Sequence, residues 1–321
     1  VYKRQAYCLS IILCVSFTGC MENYLDLYPE DKITSASFPE NESDIKLLLN
    51  GVYAQLREKE VYNQGLFGFG ITDGATPNAF NWGTDEVFNK LGAGRLSSSD
   101  GGVVTYRWKR CYEIISRANY LLACMDLVDL SEEAKAKYSG ETHFLRGLAY
   151  SVLAETYGGV PIILTNISTE EARSLKRASL EETWQQALDD YEVAITNLGV
   201  DAPEPGRATK GAALGMKMRA YLYQGKYKEV LACVEQIDAL KKYGLFHSYE
   251  GLFDPANENN KEVLFDIQYI EGENSQGSYI DQYCGTGTGS WTRGSRYVPT
   301  DDLVAAYETI DGSPVDPENP Y

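Results

Sequence analysis

Tryptophan and tyrosine in polar, glycine-rich surroundings are the side chains of this sequence best placed to do chemistry. Trp82 stands close to Asp73 and Asn81 in one such stretch, and Tyr279, Tyr283, Trp291 and Arg293 crowd a second. A flat ring stacks on the apolar C–H face of a sugar, while carboxylate, amide and guanidinium groups beside it bind the hydroxyls. These seven residues form the candidate ligand-binding set, and each could equally serve to pack its loop onto the helices. The other two tryptophans, Trp108 and Trp184, fall on helical apolar stripes and read as core.

Bond-breaking chemistry finds little support. The histidines, His143 and His247, stand far apart with no Cys or His beside either, so neither a metal site nor a nucleophile triad is indicated. No G-x-S-x-G, H-E-x-x-H or P-loop pattern occurs. The run GTGTGS, Gly285 to Ser290, has Ser290 where a phosphate-cradling loop needs its third glycine, and no helix pattern opens after it. With 46 acidic residues, a chance pair at glycosidase spacing is expected, and none is singled out. No catalytic residue, cofactor or metal is assigned.

The elements that must position the loops are helical. Ile45, Leu48, Leu49, Val52, Tyr53 and Leu56 keep one face of a helix from Ser43, and Trp108, Cys111, Tyr112, Ile115, Ala118, Leu122 and Met125 do so between Val103 and about Asp126. Asn119, polar on that apolar stretch, reads as a satisfied core amide. Ser131 caps the next helix, whose arc of Phe144, Leu148, Tyr150, Val152, Leu153 and Tyr157 must be covered on most sides. Gly158-Gly159 predicts a left-handed cap, and Pro161 stops the helix. Ser179 and Glu182 form a capping box, Thr209 caps a helix to Gln224, and Gly225 turns the chain into Tyr227 to Leu240. That last pair has the small, aromatic and Gly-Lys-Tyr positions of a tetratricopeptide hairpin. Residues 60–102 and 271–298 keep no period and are the two candidate ligand surfaces, while Asn259 to Tyr269 holds a short run of β character.

Lys3 and Arg4, the apolar run Ala6 to Phe17 and the small residues before Cys20 read as a secretory signal over residues 1–19, too short to be a permanent span. Its Gly-Cys ending resembles a lipoprotein signal, with Cys20 acylated; plain secretion with cleavage nearby is the alternative. The formal net charge of −17 becomes more negative once Lys3 and Arg4 are removed. Such a surface argues against nucleic acid and against attraction to anionic lipid, leaving membrane attachment to the acyl chains of Cys20. Cys111, Cys124, Cys233 and Cys284 read as small buried apolar residues. Cys111 and Cys124 sit about 20 Å apart along one helix, beyond disulfide reach.

Several of these segments also resemble the SusD/RagB family, the substrate-binding lipoproteins that work beside TonB-dependent transporters in the Bacteroidetes outer membrane. The resemblance is carried by HFLRGLAY and YGGVP in Gly140 to Ile163, by ENYLDLYPEDKIT from Glu22, by SRANYLLA from Ser116, by GRATKGAALG with RAYLY between Gly206 and Tyr223, and by NNKEVLFDIQY from Asn259. It implies a mainly α fold of tetratricopeptide-like hairpins with long irregular loops and little β, occupying residues 20–321. The family continues past DGSPVDPENPY, so a C-terminal part is expected to be missing. It further implies a lipid-anchored protein on the outer face of the outer membrane, which captures an oligosaccharide and hands it to a SusC-like TonB-dependent transporter without cleaving it. The runner-up is a peptide- or protein-binding interaction module.

Overall fold

The computed structural model describes residues 38–58, 73–81, 90–97, 99–269 and 297–316, with only the backbone described at Asn81, Val103 and Tyr297. One compact unit begins at Asn41. Helix α1 (Glu42–Tyr53) begins where the Asn41 side chain accepts from the amides of Ser43 and Asp44 at 2.9 and 3.3 Å. The Asp44 carboxylate accepts from the Asn41 amide in return, satisfying two otherwise orphaned groups. Ile45, Leu49 and Val52 are fully buried, and a 3₁₀ turn, Ala54–Arg57, carries the same face on to Leu56.

Helix α2 (Val103–Cys124) buries Cys111, Ile114, Ile115, Ala118 and Leu121. The protein is organised around α3 (Glu132–Tyr157), capped by Ser131, whose hydroxyl accepts from the Ala134 amide at 3.2 Å. Every residue of α3 from Phe144 to Ala154 is buried, because α1, α2, α5 and α6 all pack against it. Burying one large apolar side chain is worth ~1.5–3 kcal/mol, so this single helix carries a large share of the core. Gly147 lets α5 come close: a β-carbon there would lie 3.0 Å from the Tyr191 ring and 3.1 Å from the Ala187 carbonyl.

The two glycines after α3 have different jobs. Gly158 takes φ +75° and ψ −135°, not the left-handed cap expected but another region that side chains avoid. Gly159 has no room for a side chain, since its β-carbon would fall on the Ala178 carbonyl. The Arg177 guanidinium donates to the carbonyls of Gly159 at 2.6 Å and Tyr157 at 2.5 Å, covering the negative end of the helix.

A short helix α4 (Thr169–Ser174) leads to α5 (Leu180–Asn197), and the Ser179–Glu182 capping box forms as expected. Helix α6 (Lys210–Tyr223) starts at Thr209, and Gly225, at φ +69°, turns the chain into α7 (Tyr227–Ala239). Neighbours pack in a row, α2 on α3, α3 on α5, α5 on α6 and α6 on α7, the one-dimensional stacking of a tetratricopeptide-like array. Cys111, Cys124 and Cys233 are buried free thiols; Cys284 lies outside the described residues.

Extended structure departs from the sequence reading in two places. A two-stranded antiparallel ribbon pairs β1 (Ala79–Asn81) with β2 (Tyr297–Pro299), followed by a short helix α8 (Asp301–Ala305). Both strands sit in stretches that look irregular, since three residues are too few to show an alternating pattern. The run of β character at Asn259 to Tyr269 is instead in no ladder among the described residues.

Candidate ligand-binding site

The ribbon pairs a strand from within the first candidate surface with the end of the second. Its rungs set Ala79 opposite Pro299, Phe80 opposite Val298 and Asn81 opposite Tyr297. Strands so paired lie about 4.8 Å apart, so Asn81, the residue before Trp82, and Tyr297, near the end of the second candidate stretch, are next to each other in space. Thr300 fastens the arrangement. Its amide donates to the Asn78 carbonyl at 3.1 Å, its hydroxyl donates to the Pro77 carbonyl, and the same oxygen accepts from the Leu303 amide to cap α8.

Asp73 opens the turn that feeds β1. Its carbonyl accepts from the amide and hydroxyl of Thr76, at 2.9 and 2.8 Å, and its carboxylate is exposed. Asn81 is placed by its backbone on the last rung of β1. Trp82, Tyr279, Tyr283, Trp291, Arg293 and the proposed anchor Cys20 lie outside the described residues. Phe80, half exposed on the ribbon, is an aromatic that the sequence reading left out of the candidate set. Thr300 was missed too, although Pro-Thr-Asp-Asp at 299–302 is a legible helix start.

Buried polar groups elsewhere are engaged in holding the fold. Asn119 accepts from Arg146 at 2.7 Å and donates to the carbonyls of Ile163 and Thr165 at 3.0 and 3.3 Å, the satisfied core amide expected. The Tyr150 hydroxyl receives the Ile163 amide at 2.7 Å and donates to the Ile163 carbonyl at 2.9 Å, while Tyr112 donates to the Pro161 carbonyl at 2.7 Å. These bonds stitch the strand-like exit from α3 to α2 and α3. A second network joins α1, α3 and the linker before α6. The Tyr53 hydroxyl donates to Glu141 at 2.7 Å and accepts from the Ala208 amide at 2.9 Å, and the Arg207 guanidinium lies 4.9 Å from the Tyr53 ring. Burial raises the Glu141 carboxyl above its ordinary value despite Tyr53 and Arg207 beside it.

His143 shows the same structural use. Its Nδ1 lies 2.8 Å from the carbonyl of Ser139 one turn back on its own helix. His247 follows Phe246 in an irregular segment, the two rings 4.4 Å apart. Among the described residues no three His, Cys, Asp or Glu side chains come together as a metal-holding group, and no helix is long and apolar enough to cross a membrane.

A large cleft, about 960 Å³, lies between α6 and the segment from Leu252 to Tyr269. Met218, Leu222 and Tyr223 form one wall and Val263 to Tyr269 the other. Nothing in the sequence marked it, because its two walls come from segments that look like an ordinary helix and a loop.

Comparison with known proteins agrees with the helical fold. A SusD-like family model, described as "Starch-binding associating with outer membrane", matches residues 23–222, more than half of the chain. SusD-like protein P25 of Formosa agariphila is 27% identical over 320 residues, covering 92% of this chain and 59% of that protein. The crystal structure of a SusD-like carbohydrate-binding protein from Bacteroides fragilis superposes with a TM-score of 0.74 at 27% identity, over 87% of this chain and 55% of that one. A laminarin-binding SusD-like protein shares the fold, with a TM-score of 0.66 at 22% identity, over 80% of this chain and 55% of its own. The chain thus spans somewhat more than half the length of these relatives.

Proposed function

The chain belongs to the SusD-like family, and from that premise we propose that it is a glycan-binding protein of the outer membrane. The observation that supports the reading is the ribbon, which sets Asn81, inside the first aromatic-rich stretch, opposite Tyr297 near the end of the second. Trp82, Tyr279, Tyr283 and Trp291 supply faces for sugar rings, and Asp73, Asn81 and Arg293 supply hydroxyl partners. The relatives named for carbohydrate and laminarin binding support the same ligand class.

Capture proceeds by stacking and hydrogen bonding, with no bond cleaved. Acylated Cys20 holds the protein at the outer face of the membrane, and the bound oligosaccharide passes to a SusC-like TonB-dependent transporter. Affinity-gel and glycan-array binding across plant, host and microbial polysaccharides, laminarin included, tests the reading. Trp82→Ala and Trp291→Ala each weaken binding of the recognised glycan by about tenfold or more, since an aromatic anchor of this kind carries a large share of binding energy. Glycan binding unchanged in both variants, or a folded protein that takes up a peptide and no glycan, overturns it in favour of an interaction module.

A further inference from the structure

Helix α7 turns an apolar face outward. It packs along α6 and buries Cys233 there. On the side turned away from α6, Tyr227 is 67% exposed, Leu231 63% and Val234 37%. With Asp238, also exposed, they follow one another at spacings of four, three and four residues. That alternation keeps the four side chains in line along about 20 Å of helix. It is the seam of a two-stranded coiled coil, where the outer helix of a stacked array ordinarily shows a polar face.

The residues that flank this seam decide its occupant. Lys228 and Glu235, one repeat apart, hold equivalent positions on one flank, and both are exposed. Val230 and Ile237 hold equivalent positions on the other flank and are half-buried. In a parallel pair of helices opposite flanks meet, which would set the charges of Lys228 and Glu235 against the apolar Val230 and Ile237. In an antiparallel pair about a two-fold axis each flank meets itself, so the cation of one copy faces the anion of the other. The sequence of α7 is complementary to its own reverse.

We propose that the outer face of α7 is a self-association surface, and that its occupant is α7 of a second copy of this chain, running antiparallel. Leu231 of each copy lies opposite Val234 of the other, and Tyr227 lies opposite Asp238, whose carboxylate accepts from the phenol. Between these two layers Lys228 of one copy meets Glu235 of the other, and the two-fold axis makes that pair twice. Such an interface is isologous and closes at a dimer. A seam of one thirteen-residue helix is short, so the dimer is a weak and reversible one.

The test is sedimentation of the chain without residues 1–19, over a range of concentrations at physiological salt, where screening confines charge effects to near neighbours. The parent shows a monomer–dimer equilibrium, and Leu231→Asp abolishes it. Lys228→Glu leaves only anions on the meeting flank and Glu235→Lys only cations, so each variant alone dimerises about tenfold more weakly or less. An equal mixture of these two restores opposite charges at both pairs and associates as tightly as the parent. The positions are exposed, and all three variants keep the helical circular dichroism of the parent. A monomer at every concentration, a dimer indifferent to the charge reversals, or a mixture that associates no better than its components overturns the proposal.

Discussion

Arg146 of α3 and Asp190 of α5 form a two-pronged ion pair in the core. Nη2 donates to Oδ1 at 2.7 Å, and Nε lies 3.1 and 3.2 Å from the two carboxylate oxygens. Both side chains are almost wholly withdrawn from water. With Nη1 on Asn119, the guanidinium ties three helices at one point, which the large apolar surfaces around it could not do by themselves because they are non-directional.

Removing one partner alone is therefore expected to be severe. Asp190→Ala leaves a buried guanidinium unpaired and costs about 3–5 kcal/mol in urea unfolding, whereas the double change Arg146→Met with Asp190→Leu costs much less than the single one. A single variant as stable as the parent overturns this account of the pair.

The paired glycines after α3 separate two kinds of cost. Gly158→Ala meets open space but an unfavourable φ of +75° with ψ −135°, and destabilises by about 1–3 kcal/mol. Gly159→Ala drives a methyl group into the Ala178 carbonyl and costs about 3 kcal/mol or more, with the thermal midpoint falling further than for Gly158→Ala. The reverse order contradicts the structure.

Burial lowers the His143 pKa below its ordinary value of 6.5, against the opposing pull of the Ser139 carbonyl and Asp190. The unfolded chain then takes up a proton at a pH where the native chain resists it, so stability rises with pH through this window and is lost on acidification. Urea midpoints measured between about pH 7.5 and 5.5 fall more steeply for the parent than for His143→Gln. Equal slopes show that the imidazole is indifferent to folding.

The ribbon makes its own prediction. The Thr300 amide bonds to the Asn78 carbonyl, and the alternation of an antiparallel ladder then makes Phe80 and Val298 a hydrogen-bonded pair. Val298→Pro removes that bond at a half-buried position and weakens glycan binding by about tenfold while far-ultraviolet circular dichroism is unchanged. Binding as tight as the parent's means that the two stretches do not act as one surface.

The helical body was legible because its signals are local. Asn119 in an apolar row, Ser179 three residues before Glu182, and Gly225 between two amphipathic runs each act within one or two turns. The close approach of α3 to α5 was not legible, since Gly147 owes its role to Tyr191 and Ala187, forty residues on. Of the proposed site the sequence offers composition only: Trp82 and Trp291 are tryptophans off any stripe, while the pairing of Asn81 with Tyr297 links distant segments through three-residue strands with no period of their own. The β character at Asn259 to Tyr269 was visible because composition reports a preference for extension, and a ladder needs a second strand that composition cannot supply.

Between the two strands of the ribbon lies almost the whole helical array, from α2 to α7. Closing so long a loop in a disordered chain is entropically unfavourable and brings only a few backbone bonds in return; once the helices have stacked, the same two ends are already held near each other. The ribbon is thus a late event in folding and an early one in unfolding. On the proposed reading, a molecule whose helices are not yet in order lacks the edge that the ribbon forms, and glycan capture would be confined to chains that have finished folding.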